Sequence, residues 1–238
     1  MGITQVIDPF YQSLDLKTLK NKPVVGQFCW IVSPHIDKIP RIMDVERESP
    51  TEHLATKFRI RNMTDQDFWK KQKLPIISLT LRETEELLIQ KAKRRLAVTV
   101  AAENTIFGDI KETVSGREHL QEENILVLPL YGIESAGHEG GFPSAMVARI
   151  KALMYRQFFY CPNKAPVYES VVRLDRIQPV IPLFPGWMPT DIVLSGEALG
   201  VLMGTLREYF GAPQDEDLKA LRDMVQDALP DEAKISQK

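Results

Sequence analysis

Short runs of β-branched and aromatic residues, each stopped by proline or glycine, recur through this chain and limit its fold more than any other feature. Val24 to Val32 (VVGQFCWIV) lies between Pro23 and Pro34 and predicts a strand. Leu96 to Ala101 (LAVTVA) and Ile125 to Tyr131 (ILVLPLY) predict two more, with a polar loop containing Gly108 and Gly116 between them. Three further strand candidates follow: Ala145 to Ile150, Met154 to Tyr160 and Glu169 to Leu174. Before them lies the loop Gly137-His138-Glu139-Gly140-Gly141. Strands this short, separated by turn signals, point to a small antiparallel barrel or sandwich.

Helical signals sit around these runs. Thr80-Leu81-Arg82-Glu83 has the capping-box pattern, in which hydroxyl and carboxylate satisfy the first orphan amides reciprocally. It predicts a helix to about Lys93, with Leu81, Leu88 and Ala92 on one stripe. Pro179, Pro182, Pro185 and Pro189 then exclude a helix interior. Ser195 is an N-cap for a helix carrying Leu199, Leu202, Met203, Leu206 and Phe210, and Gly211 ends it. A last helix over Asp215–Leu229 presents Leu218, Leu221, Val225 and Leu229 to a core. The first 22 residues predict either a short helix around Tyr11–Leu19 or an arm, and Lys57–Arg61 a short strand.

The expected class is therefore mainly β with helices, an α+β fold, in one decorated domain over residues 1–238. Apolar residues make up 44% of the 238 and charged residues 26%, enough for a real core and too apolar for wholesale disorder. The longest apolar run, Ile125 to Tyr131, contains a proline and falls far short of the roughly 18 residues of a membrane span. The opening MGITQVIDPF lacks a basic stretch followed by an apolar one, so no signal peptide is expected and the location is cytoplasmic. Cys29 and Cys161 are then expected as buried free thiols rather than a disulfide. His35, His53, His119 and His138 are scattered without metal-ligand spacing, which predicts no structural metal.

Net charge is −2, so no global field favours nucleic acid. The charge is uneven: Lys70–Lys73 and Lys91–Arg95 are basic runs, and Asp215–Asp231 is acid-rich. The basic runs are either phosphate-binding surface or solvated helix ends.

Taken in order, these elements resemble the MazF/PemK-like toxins, the endoribonuclease half of bacterial toxin–antitoxin pairs. Gly26-Gln27-Phe28-Cys29-Trp30-Ile31-Val32-Ser33-Pro34 is similar to the family's opening strand, and Arg95-Leu96-Ala97-Val98-Thr99-Val100 to its arginine-bearing strand. Pro129-Leu130-Tyr131-Gly132, Pro143-Ser144-Ala145-Met146-Val147 and Ser170-Val171-Val172-Arg173-Leu174-Asp175-Arg176-Ile177 look like the next three elements. Leu194-Ser195 through Gly211 looks like the closing helix. The resemblance implies an SH3-like barrel over residues 24–34 and 95–211 with a packed C-terminal helix. Residues 35–93 become a helical insertion, and residues 212–238 an added helix and tail.

Such toxins cut single-stranded RNA without metal or other cofactor, usually as homodimers restrained by a small antitoxin protein. A ribose 2′-hydroxyl attacks the neighbouring phosphate, leaving a 2′,3′-cyclic phosphate and a 5′-hydroxyl. The resemblance places Arg95 at the catalytic arginine, with Lys93, Arg94, Gly132 and Ser144 holding substrate. A guanidinium suits the task because it stays charged and offers fork-like donors to phosphate oxygens. The family's small hydroxyl falls on Tyr131, so either the phenol acts there or stacks a base, or Ser135 or Ser144 supplies the hydroxyl. Each residue also has an ordinary structural reading. Arg94 and Arg95 could cap a helix C-terminus, Tyr131 could be core, and Glu134 and Asp175 could be solvated carboxylates instead of bases. Two other functions stand beside the enzyme: a non-catalytic SH3-like module that binds RNA or protein, and a dimer whose last helix binds a partner helix.

Overall fold

The computed structural model describes residues 2–19, 22–46, 56–69, 84–102, 124–133, 141–182 and 185–234. Over these residues the chain is a mixed α+β protein with mostly antiparallel sheets, divided into two compact units. One comprises Met1–Val32 and Arg94–Lys238, the other Ser33–Lys93. In chain order the elements begin with β1 (Tyr11–Ser13), α1 (Leu16–Leu19) and β2 (Gln27–Pro34). The smaller unit then supplies β3 (Arg41–Glu46), β4 (Lys57–Asn62) and β5 (Leu88–Ile89). There follow β6 (Ala92–Ala101), β7 (Ile125–Gly132), α2 (Ser144–Lys151), β8 (Phe158–Cys161) and β9 (Ser170–Arg173). The last are β10 (Gln178–Val180), β11 (Trp187–Leu194), α3 (Gly196–Tyr209) and α4 (Glu216–Asp227).

The main sheet has eight strands in the order β1-β11-β2-β6-β7-β9-β8, with β10 added to β7. Its two ends do not meet, so the sheet is not closed into a barrel. A register shift between Thr99 and Ala101 marks a bulge in the β6–β7 ladder, the kind of irregularity that bends a strand. On β2 and β6 successive side chains enter different clusters. Phe28, Leu96, Val98 and Val100 join the large core around Leu128, Phe159 and Leu202, whereas Cys29, Ile31 and Ala97 pack with Ile125, Val127 and Trp187. That is the two-residue period of a strand buried on both faces. Cys29 and Cys161 are both buried and unbonded.

α3 follows its sequence signals closely. Ser195 Oγ accepts from the Ala198 amide at 3.2 Å, and Gly211 takes the left-handed φ of +93° that ends the helix. Ser195→Ala should therefore lower the free energy of unfolding by about 1 kcal/mol, read as a shifted denaturant midpoint at constant slope. Leu202 and Leu206 are buried as expected, but Phe210 is 63% exposed because the helix stops at Tyr209. α4 is capped by Asp215, whose carboxylate accepts from the Asp217 and Leu218 amides. It packs closely on α3 at Gly204, where a Cβ would lie 3.3 Å from Leu218 Cδ2. Between these helices Glu208 and Arg222 form a buried ion pair, and Arg156 reaches Glu208 from outside at 3.3 Å.

Several expectations are corrected. Ala145–Ile150 is not a strand but the body of α2. A run of six apolar and basic residues fits either period, and here Met146, Val147 and Ile150 meet the main core while Ala145 and Ala148 meet α4's cluster. The strand expected from Met154 begins only at Phe158. Tyr11–Ser13 pairs with β11 rather than coiling, which leaves one helical turn at Leu16–Leu19. The capping box Thr80–Glu83 lies outside the described residues, but Leu88–Ile89 and Ala92 onward are strand, not helix.

The smaller unit is accordingly not a helical insertion over its described residues; it holds the three-stranded sheet β4-β3-β5. Arg61 ties this sheet together, with Nε 2.6 Å from Asp44 of β3 and Nη2 2.6 Å from Asp67. Hydrogen bonds from Arg61, then from the Thr64 amide, hold the Asp67 carboxyl well below the usual carboxylate range. A depressed carboxyl stabilises the fold fully above its unfolded pKa of about 4, and that contribution disappears as pH falls through the folded value. Protection of the amides across β3 and β4, taken relative to their intrinsic exchange rates, should therefore fall below about pH 4, and Asp67→Asn should flatten that acid dependence.

Candidate functional site

Three strands of the main sheet bring two arginines to one tyrosine. In the β6–β7 ladder Ala97 faces Pro129, so Arg95, two residues earlier, falls opposite Tyr131. In the β7–β9 ladder Tyr131 faces Val171, which puts Arg173 on the diagonal two residues on. The side chains close this arrangement. The Arg95 guanidinium carbon lies 4.4 Å from the Tyr131 ring centre, and that of Arg173 lies 5.7 Å away. Arg173 also sits 5.9 Å from the ring of Phe158, its partner in the β8–β9 ladder. All three residues are half-buried.

The two guanidiniums differ in how they are held. Arg173 Nε donates to Asp175 Oδ1 at 2.8 Å and its Nη2 donates to Oδ2, a two-pronged pair made possible by the 3-10 turn Leu174–Arg176. These hydrogen bonds from Arg173 lower the Asp175 carboxyl and raise the Arg173 guanidinium. A carboxylate so stabilised is a weak proton acceptor, so Asp175 acts as the brace of Arg173 rather than as a base. Among the described residues Arg95 has no ion-pair partner, and its donors remain available to an anion.

The family resemblance joined Arg95 and Tyr131 in one site, and the guanidinium and the ring do lie together. Arg94, the next residue, turns the other way: it lies 5.6 Å from the Trp30 ring of β2, and its Nη2 is 3.6 Å from Met188 Sδ. Both arginines lie in a strand, so neither caps a helix C-terminus. Gly132 is the exposed last residue of β7, and Ser144 is the exposed first residue of α2. Lys93 is exposed and belongs to the smaller unit. Ser135 and Glu134 lie outside the described residues. Arg173 carried no expected role, although its place two residues beyond the strand partner of Tyr131 could have suggested one.

A second charged cluster is structural. Glu169 accepts from the Tyr160 hydroxyl and pairs with Lys151 Nζ at 2.9 Å, and the first of these contacts does most to lower its carboxyl. It fastens α2 to the β8–β9 hairpin. Among the described residues no three His, Cys, Asp or Glu side chains gather as metal ligands, and no helix is long and apolar enough to cross a membrane. Compared with protein families, with curated proteins and with solved structures, the chain matches none.

Proposed function

We propose that this chain is a metal-independent endoribonuclease of the MazF/PemK type, cutting single-stranded RNA and neutralised by a small antitoxin protein. The observation that carries the reading is the Arg95 guanidinium over Tyr131, with Arg173 braced beside the same ring. Attack of a 2′-hydroxyl on the adjacent phosphate adds negative charge to the phosphorane oxygens. Two guanidiniums at fixed positions meet that charge without reorganising, and they do so best where water is partly excluded. The Tyr131 hydroxyl, beside both, is a donor for the same oxygens. The fold half of the proposal, an SH3-like barrel with a packed C-terminal helix, rests on the order of the sequence elements, as does a homodimer.

Purified protein incubated with single-stranded RNA in EDTA should yield fragments with 2′,3′-cyclic phosphate and 5′-hydroxyl ends. Intact RNA under these conditions would overturn the enzyme. A second reading, a non-catalytic SH3-like module that binds RNA or protein, is favoured by one observation: Arg95 covers a bulky phenol where the toxins carry a small hydroxyl. It predicts binding with no strand scission.

A further inference from the structure

Away from the Arg95 site, β2, β6 and the loop into β11 enclose an open cleft of about 420 Å³ lined by Trp30, Val32, Arg94, Gly186, Trp187 and Met188. Its walls are apolar except for one cation, and all six residues belong to the larger unit. Gln178 Nε2 donates to the Val32 carbonyl at 3.2 Å and anchors one wall. Arg94 lies over the Trp30 ring, yet its only other polar contact among the described residues is the neutral thioether of Met188. A thioether is a weak acceptor, and no carboxylate among the described residues neutralises the guanidinium. The cleft therefore offers a π-surface, a flexible sulfur jaw and an unneutralised fork of donors.

We propose that this cleft is a nucleotide subsite, in which one unpaired base stacks on the Trp30–Arg94 pair and its phosphate takes the Arg94 donors. Unpaired RNA bases stack on aromatic rings and on guanidinium planes alike, and the anionic backbone supplies the charge the cleft lacks. A neutral apolar peptide would use the walls and leave Arg94 unanswered. The inference rests on the ribonuclease reading and deepens it. Arg94 and Arg95 are consecutive in β6 and project from opposite faces of the strand, Arg94 to Trp30 of β2 and Arg95 to Tyr131 of β7, so the cleft would hold a nucleotide apart from the one that is cut.

The probe is a pool of short, fully 2′-O-methylated oligoribonucleotides, which lack the attacking hydroxyl, titrated by fluorescence anisotropy. Trp30→Leu should raise Kd about five- to hundred-fold. Because Trp30 packs partly on the main core, Arg94→Ala and Met188→Glu are tested alongside. Both alter exposed side chains and should also weaken binding while preserving the thermal melt. Wild-type Kd in Arg94→Ala and Met188→Glu overturns the subsite, as does a wild-type protein that binds none of the pool. Failure of the enzyme itself reads separately, as uncut RNA in the EDTA assay with the pool still bound.

Discussion

Arg95→Ala is expected to slow RNA cleavage by about 10²–10³-fold, the usual consequence of deleting one well-aimed donor to a developing oxyanion. The fold should survive. Arg95 is half-buried within β6, and among the described residues the one polar or ring interaction it gives up is that with Tyr131. Such a cation–π contact is worth about 0.5–1 kcal/mol near a surface, too little to unfold the protein. Arg95→Lys should recover only part of the rate, since an ammonium keeps the charge and loses the planar fork. Arg173→Ala should fall in the same direction, and the double variant should lose less than the product of the two, because both guanidiniums serve one phosphate. Single-turnover cleavage at saturating RNA, beside a thermal melt, checks all four. Cleavage by Arg95→Ala at the wild-type rate would remove the proposal.

The largest loss of stability should come from Glu208→Ala, by about 3–5 kcal/mol, because it strands a buried guanidinium. Glu208 and Arg222 are 7% and 6% exposed and pair directly between α3 and α4. Arg222 is already short of partners, since its Nε and Nη2 are buried without acceptors. Glu208 also stands in the last turn of α3, where the helix dipole disfavours a carboxylate, so the ion pairs are what keep it there. The reverse substitution should be mild. Arg222→Met removes the unsatisfied donors, and Glu208 retains Arg156 at 3.3 Å, whose side chain reaches solvent. The expected pattern is a melting temperature lowered by roughly 10 °C in Glu208→Ala and changed little in Arg222→Met. Equal losses in both would show that the pair is a net contributor, contrary to the imbalance described.

Where local chemistry and tertiary packing agree, the elements could be read from residue order alone. Ser195 and Gly211 bracket α3 because a hydroxyl and a left-handed glycine solve the problem of orphan backbone groups at either end. β2, β6 and β7 were legible because β-branched residues on both faces suit a strand covered on both sides. The failures fall where packing decides. Leu88 and Ala92 have helical spacing with Leu81, yet Leu88 pairs with Ile42 in a sheet, and that partner is remote in sequence. Ala145–Ile150 failed in the opposite sense, an apolar run too short for its period to be diagnostic. β3 was missed since the adjacent apolar pair Ile42-Met43 breaks the alternation of Arg41–Glu46 in a segment that otherwise reads as polar. For the site, only the family resemblance joined Arg95 to Tyr131. Arg173 reaches them through a ladder whose register depends on β9, which no local pattern reveals.

The alternation along β6 gives the two arginines unequal tolerance to changes in chain length. Removing one residue from the loop before β6 leaves Arg94 and Arg95 in phase with their partners. Removing Leu96 would advance both by one place, presenting Arg94 to Tyr131 and carrying Arg95 into the buried place of Leu96. Tyr131 would still meet a guanidinium, but the core would receive one where it now holds a leucine. The doublet's frame is therefore fixed by the leucine behind it, since a slip fills the seat at Tyr131 only by driving a charge into the interior.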